Sequence, residues 1–175
     1  TSLNELVTVK VLGQGGFGFV TLQHDPAVNQ LFALKKISKG LIQQEEMVAN
    51  TLAERDIHSI LQSPFVVRLW KTLQDDQYLY FLMEALLGGE LHCLRQQRPE
   101  VFASTSNVAF YVGCVALALE HLHGNRIMYR DLKPENVLLA PDGYAKICDL
   151  GFARFCLGKS FTMLGTPPYM APEMI

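Results

Sequence analysis

Two short apolar runs, Val137-Leu138-Leu139 and Tyr144 to Cys148, flank Pro141-Asp142-Gly143, and no other stretch limits the fold of this chain so tightly. Pro, Asp and Gly favour turn backbone, so the pair reads as a β-hairpin. A hairpin fixes which residues meet at its open end: Asn136 before the first strand and Asp149 after the second. An amide oxygen beside a carboxylate suits a hard cation, magnesium held against phosphates. Upstream lie Tyr129-Arg130-Asp131-Leu132-Lys133-Pro134-Glu135, so Asp131 and Lys133 fall close to the same end. Each of these acids alone would read as an ordinary charged turn; acid, amine, amide and second acid together read as a reaction site.

The 175 residues match about one domain. Charged residues are 18% of the chain and apolar residues 49%, with a mean hydropathy of +0.15. Typical soluble domains carry about 25% charge. That excess of apolar surface, and a first residue that is Thr, lead us to expect a piece of a larger protein. A net charge of −2 gives no overall attraction to nucleic acid or anionic membrane. Neither a signal peptide nor an apolar run long enough to form a transmembrane segment is present in the sequence. Cys93, Cys114, Cys148 and Cys156 show no C-x-x-C spacing, which reads as reduced thiols in a cytoplasmic protein. His121 and His123 point apart on a helix and read as structural.

Strand-like runs occur at Glu5 to Gly13, Phe19 to Gln23, Leu31 to Ile37, Val66 to Trp70 and Tyr78 to Met83, interrupted by a helix from about Gln43 to Leu61. After Gly88-Gly89 a long helix is predicted from about Thr105 to His123. Val108, Val112, Val115, Leu119 and Leu122 share one face and Gly124 is its C-terminal cap. The expected class is α+β with two lobes: residues 1–86 as an antiparallel sheet with one helix plus the hinge, and 87–175 as a mainly helical part. A hinge near Glu84 to Gly89 would place a cleft between them.

Gly13-Gln14-Gly15-Gly16-Phe17-Gly18-Phe19-Val20 fits G-x-G-x-x-G-x-V. A dinucleotide-binding turn would open a helix here, but Phe19-Val20-Thr21-Leu22 reads as a returning strand. On Phe32-Ala33-Leu34-Lys35, residues two apart share a face, so small Ala33 can admit a flat base while Lys35 reaches phosphate and Lys36 points away. Met47, Glu54 and Leu61 recur every seven residues with Thr51 and His58 nearby, which puts Glu54 on the inward stripe of its helix. A carboxylate there needs a cation, and Lys35 is the candidate.

These segments resemble the catalytic domain of eukaryotic protein kinases, whose usual forms are H-R-D-L-x-x-x-N and D-F-G; Tyr129 stands for His and Leu150 for Phe. Lys133 is similar to serine/threonine rather than tyrosine kinases. Tyr78 to Leu91, Tyr129-Arg130-Asp131 and Gly143-Tyr144-Ala145-Lys146 resemble the AGC group, nearest the cyclic-GMP-dependent branch. The resemblance runs over nearly the whole chain. It implies ATP and Mg2+ as cofactors and protein Ser/Thr hydroxyls as acceptors. Asp131 would accept the hydroxyl proton, Lys133 would steady the phosphoryl group, Lys35 and Glu54 would pair, and Asn136 and Asp149 would hold metal. ATP would lie against Gly13, Gly15, Gly16, Gly18, Val20, Ala33, Lys35, Met83, Glu84, Leu86 and Glu90. Glu90, Glu135 and Thr166 would meet the substrate, favouring basic residues upstream of the target. Thr162 would be the activation-loop phosphosite, read by Arg130 and Arg154. The resemblance leaves room for cyclic-nucleotide-binding regulatory domains in the parent chain.

Departures from the family pattern are Leu150, Pro168 in place of Glu, Asn50 in place of a basic residue, and polar His58 at an apolar position. Kinase domains continue with helices beyond the Ala171-Pro172-Glu173 segment, so the 175 residues alone are expected to be poorly soluble and inactive. The competing reading is a nucleotide-binding pseudokinase or interaction fragment. Retention of Lys35, Glu54, Asp131, Asn136 and Asp149 argues for the enzyme.

Overall fold

The computed structural model describes residues 2–15, 18–156 and 164–172. The chain divides into two compact units. The first comprises residues up to Arg55 together with Arg68–Ala85, and the second comprises Asp56–Val67 and the residues from Leu86 onward.

In the first unit, the described residues form an antiparallel five-stranded sheet. Its strands are β1 (Val7–Gly15), β2 (Gly18–Asp25), β3 (Gln30–Ser38), β4 (Leu69–Gln74) and β5 (Tyr78–Glu84), in the order β1-β2-β3-β5-β4. The side-chain period of two sorts β3 onto two faces. Ile37 packs with Phe81 and with Ile42 of α1 (Lys39–Gln44), whereas Phe32 and Leu34 pack with Tyr80 and Leu82. Lys36 lies on that second face, its ammonium 3.7 Å from the Tyr78 ring centroid. At Gly18 β2 runs close against β3: a Cβ there would stand 1.8 Å from the Lys36 carbonyl oxygen, so only glycine allows this register.

The single helix expected from Gln43 to Leu61 is two, α1 and α2 (Val48–Ile60). Ser38 caps α1 by accepting from the Leu41 amide, and the chain turns at Glu46, whose φ is 54°. Nothing in Gln43-Gln44-Glu45-Glu46 marks that break, because all four are good helix formers. The inward stripe of α2 is as expected: Thr51, Glu54, His58 and Leu61 are all buried. The fourth strand begins at Leu69 rather than Val66. Val66 and Val67 are buried in the second unit, where Val67 N donates to the Ile147 carbonyl.

The second unit contains α3 (Leu91–Gln97), α4 (Thr105–Gly124), β6 (Ile127–Met128), β7 (Val137–Leu139), β8 (Ala145–Ile147) and β9 (Arg154–Phe155). The expected hairpin forms as β7–β8, with Val137 opposite Ile147 and Leu139 opposite Ala145. Around it Ile57, Leu61, Leu122, Ile127, Tyr129, Ile147 and Leu150 form one core. Two expectations for α4 need correction. Its fully buried positions are Cys114, Ala118 and Leu122, four residues apart, while Val108 and Val112 are exposed. Gly124 is the last helical residue; Asn125 caps it, and the left-handed turn falls at Arg126, φ 58°. Among the described residues no helix is long and apolar enough to cross a membrane.

Candidate active site

In the second unit the chain leaves β6 and reverses through Arg130, a non-glycine residue at φ 68°. Such backbone is uncommon and persists where surroundings enforce it. Here Tyr129 is buried and its hydroxyl donates to the Cys148 carbonyl at 2.5 Å, while Arg130 Nε donates to the Phe152 carbonyl at 2.8 Å. Burial, reinforced by the negative groups of Cys148, Asp149 and Asp131, holds the Tyr129 hydroxyl protonated far above the ordinary tyrosine range. Tyr129 is thus a neutral strut tying the loop to the segment between β8 and Asp149.

Asp131 follows, its side chain 5% exposed. Oδ1 accepts from Thr166 Oγ1 at 2.6 Å, and Oδ2 accepts from Asn136 Nδ2 at 2.8 Å and lies 2.9 Å from Lys133 Nζ. Lys133 also donates to Thr166 Oγ1 at 2.9 Å, closing a ring of three side chains. Thr166 reaches this place because Gly165 packs on the loop: at φ 134°, a Cβ would stand 2.6 Å from the Arg130 carbonyl oxygen. A buried carboxylate with such donors is fixed in orientation and compensated in charge.

Asn136 spends its amide nitrogen on the carbonyl and carboxylate of Asp131, which leaves its amide oxygen as the acceptor. Cys148 N donates to the Asn136 carbonyl at 2.9 Å, so the register sets Asp149 one residue beyond Asn136's partner. Asp149 is exposed, at φ 52°, and its Oδ1 accepts from Gly151 N. Leu150 beside it is fully buried in the core with Ile57 and Tyr129, an apolar plug without a ring. Among the described residues no group of three or more His, Cys, Asp and Glu is placed to hold a metal. Two oxygen ligands are what a magnesium ion shared with phosphates requires, since it keeps waters and substrate oxygens as its other ligands.

The first unit holds the Lys35–Glu54 pair, Nζ to Oε1 2.6 Å, with Glu54 5% exposed. Val20 and Phe81 lie directly opposite Lys35 on the neighbouring strands, and Ala33 pairs with Met83. Gly13 and Gly15 differ from Gly18: a Cβ at either would meet nothing within 4 Å among the described residues. Glu84 is bound to its own unit, its Oε1 accepting from Arg68 N at 2.7 Å. Gly16 and Thr162 lie outside the described residues.

The remaining expected contacts belong to the second unit. Leu86 is half-buried. Glu90 stands at the start of α3 without capping it; its Oε2 faces the Cys93 thiol at 3.8 Å. Glu135 is half-exposed, with Oε1 3.6 Å from His92 Nδ1. Its Oε2 is buried with no hydrogen-bond partner among the described residues. Arg130 Nη1 is likewise buried without a hydrogen-bond partner among the described residues. Burial, then the like charge of Arg154, pushes the Arg130 guanidinium below its usual range. His92 was not among the sequence candidates; it stands far from Glu135 in the chain, and no motif links them.

The antiparallel five-stranded sheet with its helix, and the partly helical second unit with the Asp131 loop before its hairpin, are the architecture of a protein kinase domain. The protein kinase domain family matches residues 6–175, and the chain belongs to it. Among relatives it is 44% identical over 174 residues to a cGMP-dependent protein kinase of Plasmodium berghei. It is 41% identical over 177 residues to cAMP-dependent protein kinase type 3 of Saccharomyces cerevisiae, and 43% identical over 172 residues to cGMP-dependent protein kinase 2 of Rattus norvegicus. These alignments take in 99%, 99% and 97% of the chain but only 20%, 43% and 22% of the relatives, so it spans less than half of each.

Proposed function

We propose that this chain carries the phosphoryl-transfer chemistry of a serine/threonine protein kinase using ATP and magnesium. The observation that carries the proposal is the Asp131 network. A substrate hydroxyl at Asp131 would meet a carboxylate already oriented by Thr166, Lys133 and Asn136. As the hydroxyl oxygen bonds the γ-phosphorus and ADP departs, Asp131 accepts the hydroxyl proton. Lys133 offers its ammonium to the phosphoryl oxygens, and Thr166 keeps it beside Asp131. Asn136 and Asp149 supply the oxygens that would hold magnesium, which when bound neutralises phosphate charge. In the first unit, Lys35, held by Glu54, is the phosphate-facing cation. The unobstructed backbone at Gly13 and Gly15 suits close approach of phosphate oxygens.

Four finer readings accompany this proposal. Glu135, with one carboxylate oxygen buried and unpaired, and Glu90, unused as a cap, favour substrates with a basic residue upstream of the target hydroxyl. Arg130 and Arg154 form a cationic spot that a phosphate on Thr162 would neutralise. Free thiols at all four cysteines support an intracellular setting, and the names of the relatives support control of the parent protein by a cyclic nucleotide. The test is incubation of the full-length protein with magnesium and γ-labelled ATP on serine-, threonine- and tyrosine-centred peptides. Label on serine or threonine is expected; label on tyrosine alone, or on none, would contradict the assignment.

A further inference from the structure

Lys35 and Lys36 are neighbours on β3 and so stand on opposite faces of the sheet. On the Lys36 face, pairing across the strands brings three aromatic rings together. Phe19 of β2 lies directly opposite Lys36, Tyr80 of β5 lies directly opposite on the other side, and Tyr78 lies two residues along the same face. The ammonium stands 3.7 Å from the Tyr78 ring centroid, 5.5 Å from that of Phe19 and 5.8 Å from that of Tyr80. All three are within cation–π range, and Lys36 is half-buried, so water screens the attraction less than at an open surface.

Two of the three rings are anchored. The Tyr80 hydroxyl donates to Asp75 Oδ2 at 2.7 Å, the Tyr78 amide donates to Asp75 Oδ1 at 2.7 Å, and the two ring centroids are 6.2 Å apart. The Tyr80 hydroxyl above all, then the Gln77 and Tyr78 amides and the Lys36 charge, hold the Asp75 carboxyl below its usual range. Phe19 differs: its ring is 39% exposed, and it follows Gly18, where β2 already runs against the β3 backbone. Lys36 therefore links a fixed pair of rings on β5 to the first residues of the strand that leaves the glycine segment. Val20, the next residue, lies opposite Lys35 on the other face. A displaced Phe19 would carry the backbone of Gly18 and Val20 with it.

Resting on the reading of Gly13 to Val20 as the phosphate-facing segment, we propose that Lys36 is a positioning residue for ATP, whose cation–π contacts to Phe19, Tyr78 and Tyr80 fasten that segment to the sheet. Lys36 acts from the far face of β3, without touching the nucleotide. Its charge carries the effect: a neutral side chain of the same length would fill the space among the rings and lose the attraction.

The full-length protein is titrated with ATP and magnesium to give Kd, and kcat is measured on a serine peptide at saturating ATP. Lys36→Met keeps the unbranched stem and removes the charge. We expect it to weaken ATP binding about two- to fivefold, the span of a partly exposed cation–π contact. Over the same change kcat should move by less than about twofold, as when binding rather than chemistry is lost. Lys36→Arg, whose guanidinium also stacks on aromatic rings, should retain the original affinity. Phe19→Leu should weaken ATP binding by a similar factor, and Lys36→Met added to it should cost little more. Because Phe19 is exposed, Phe19→Leu tests the same contact even if Lys36→Met folds poorly. Unchanged affinity in both single variants, an equal loss from Lys36→Met with and without Phe19, or no retention by arginine would overturn the proposal. So would a loss confined to kcat and the thermal midpoint, which is what a merely structural lysine would give. An unaltered protein that binds ATP but labels no peptide would strike instead at the phosphotransfer reading, and the affinity comparison would still decide the role of Lys36.

Discussion

Thr166 contributes one hydroxyl, and that hydroxyl serves two partners: it donates to Asp131 and accepts from Lys133. Hydrogen bonds to charged groups contribute roughly 1.5–3 kcal/mol, and a tenfold rate change corresponds to about 1.4 kcal/mol. We therefore expect Thr166→Ala to lower kcat by about tenfold or more and Thr166→Ser to restore most of it, as read by steady-state kinetics on one peptide. Equal kcat for the Ala and Ser variants would show that the hydroxyl does not position Asp131. A pH effect belongs to another single residue, Tyr80. Burial and the Asp75 carboxylate, which accepts its hydroxyl at 2.7 Å, push its pKa up from 10.0 to about 12. A group whose folded pKa is raised stabilises the fold fully below its unfolded pKa and loses that contribution as pH rises through the folded one. The contribution of Tyr80 thus fades between about pH 10 and pH 12. Thermal midpoints of the unaltered protein should fall more steeply over that window than those of Tyr80→Phe; parallel curves would contradict this.

At the scale of elements, the glycines of the β1–β2 segment divide by what surrounds them. A Cβ at Gly18 runs into the Lys36 carbonyl, whereas one at Gly15 meets nothing within 4 Å among the described residues. Gly18→Ala should destabilise the protein by about 1–3 kcal/mol, the usual cost of overpacking. Gly15→Ala should leave the thermal midpoint in place and raise KM for ATP. The reverse pattern in thermal unfolding and ATP kinetics would refute the division. The same elements show what the sequence could and could not convey. Hairpin β7–β8 was legible because Pro141-Asp142-Gly143 fixes a turn and the turn fixes register. Glu54 was legible because a seven-residue spacing is a helix face. The break at Glu46 was not, since its residues favour helix and tertiary packing overrode them. The α4 face was legible in part: Val115, Leu119 and Leu122 meet the core but Val108 and Val112 are exposed, because apolar residues ring that helix and periodicity could not say which of them are buried. Thr166 beside Asp131 and His92 beside Glu135 join residues far apart in the chain; only folding brings them together, and for His92 no motif stood in for the fold.

At the scale of the whole molecule, the first unit holds Lys35–Glu54 and the unobstructed glycines, and the second holds Asp131, Lys133, Asn136 and Asp149. A chain that only bound nucleotide would have no use for a buried carboxylate supplied with donors by Thr166, Lys133 and Asn136. The central claim is therefore that Asp131 is there for chemistry. Its most direct test is Asp131→Asn in the full-length protein, with ATP affinity and phosphate transfer to a serine peptide measured on the same sample. The account predicts ATP affinity within about twofold of the unaltered protein and transfer slower by about 10²- to 10⁴-fold, the contribution of a positioned general base. Transfer at an undiminished rate would contradict it.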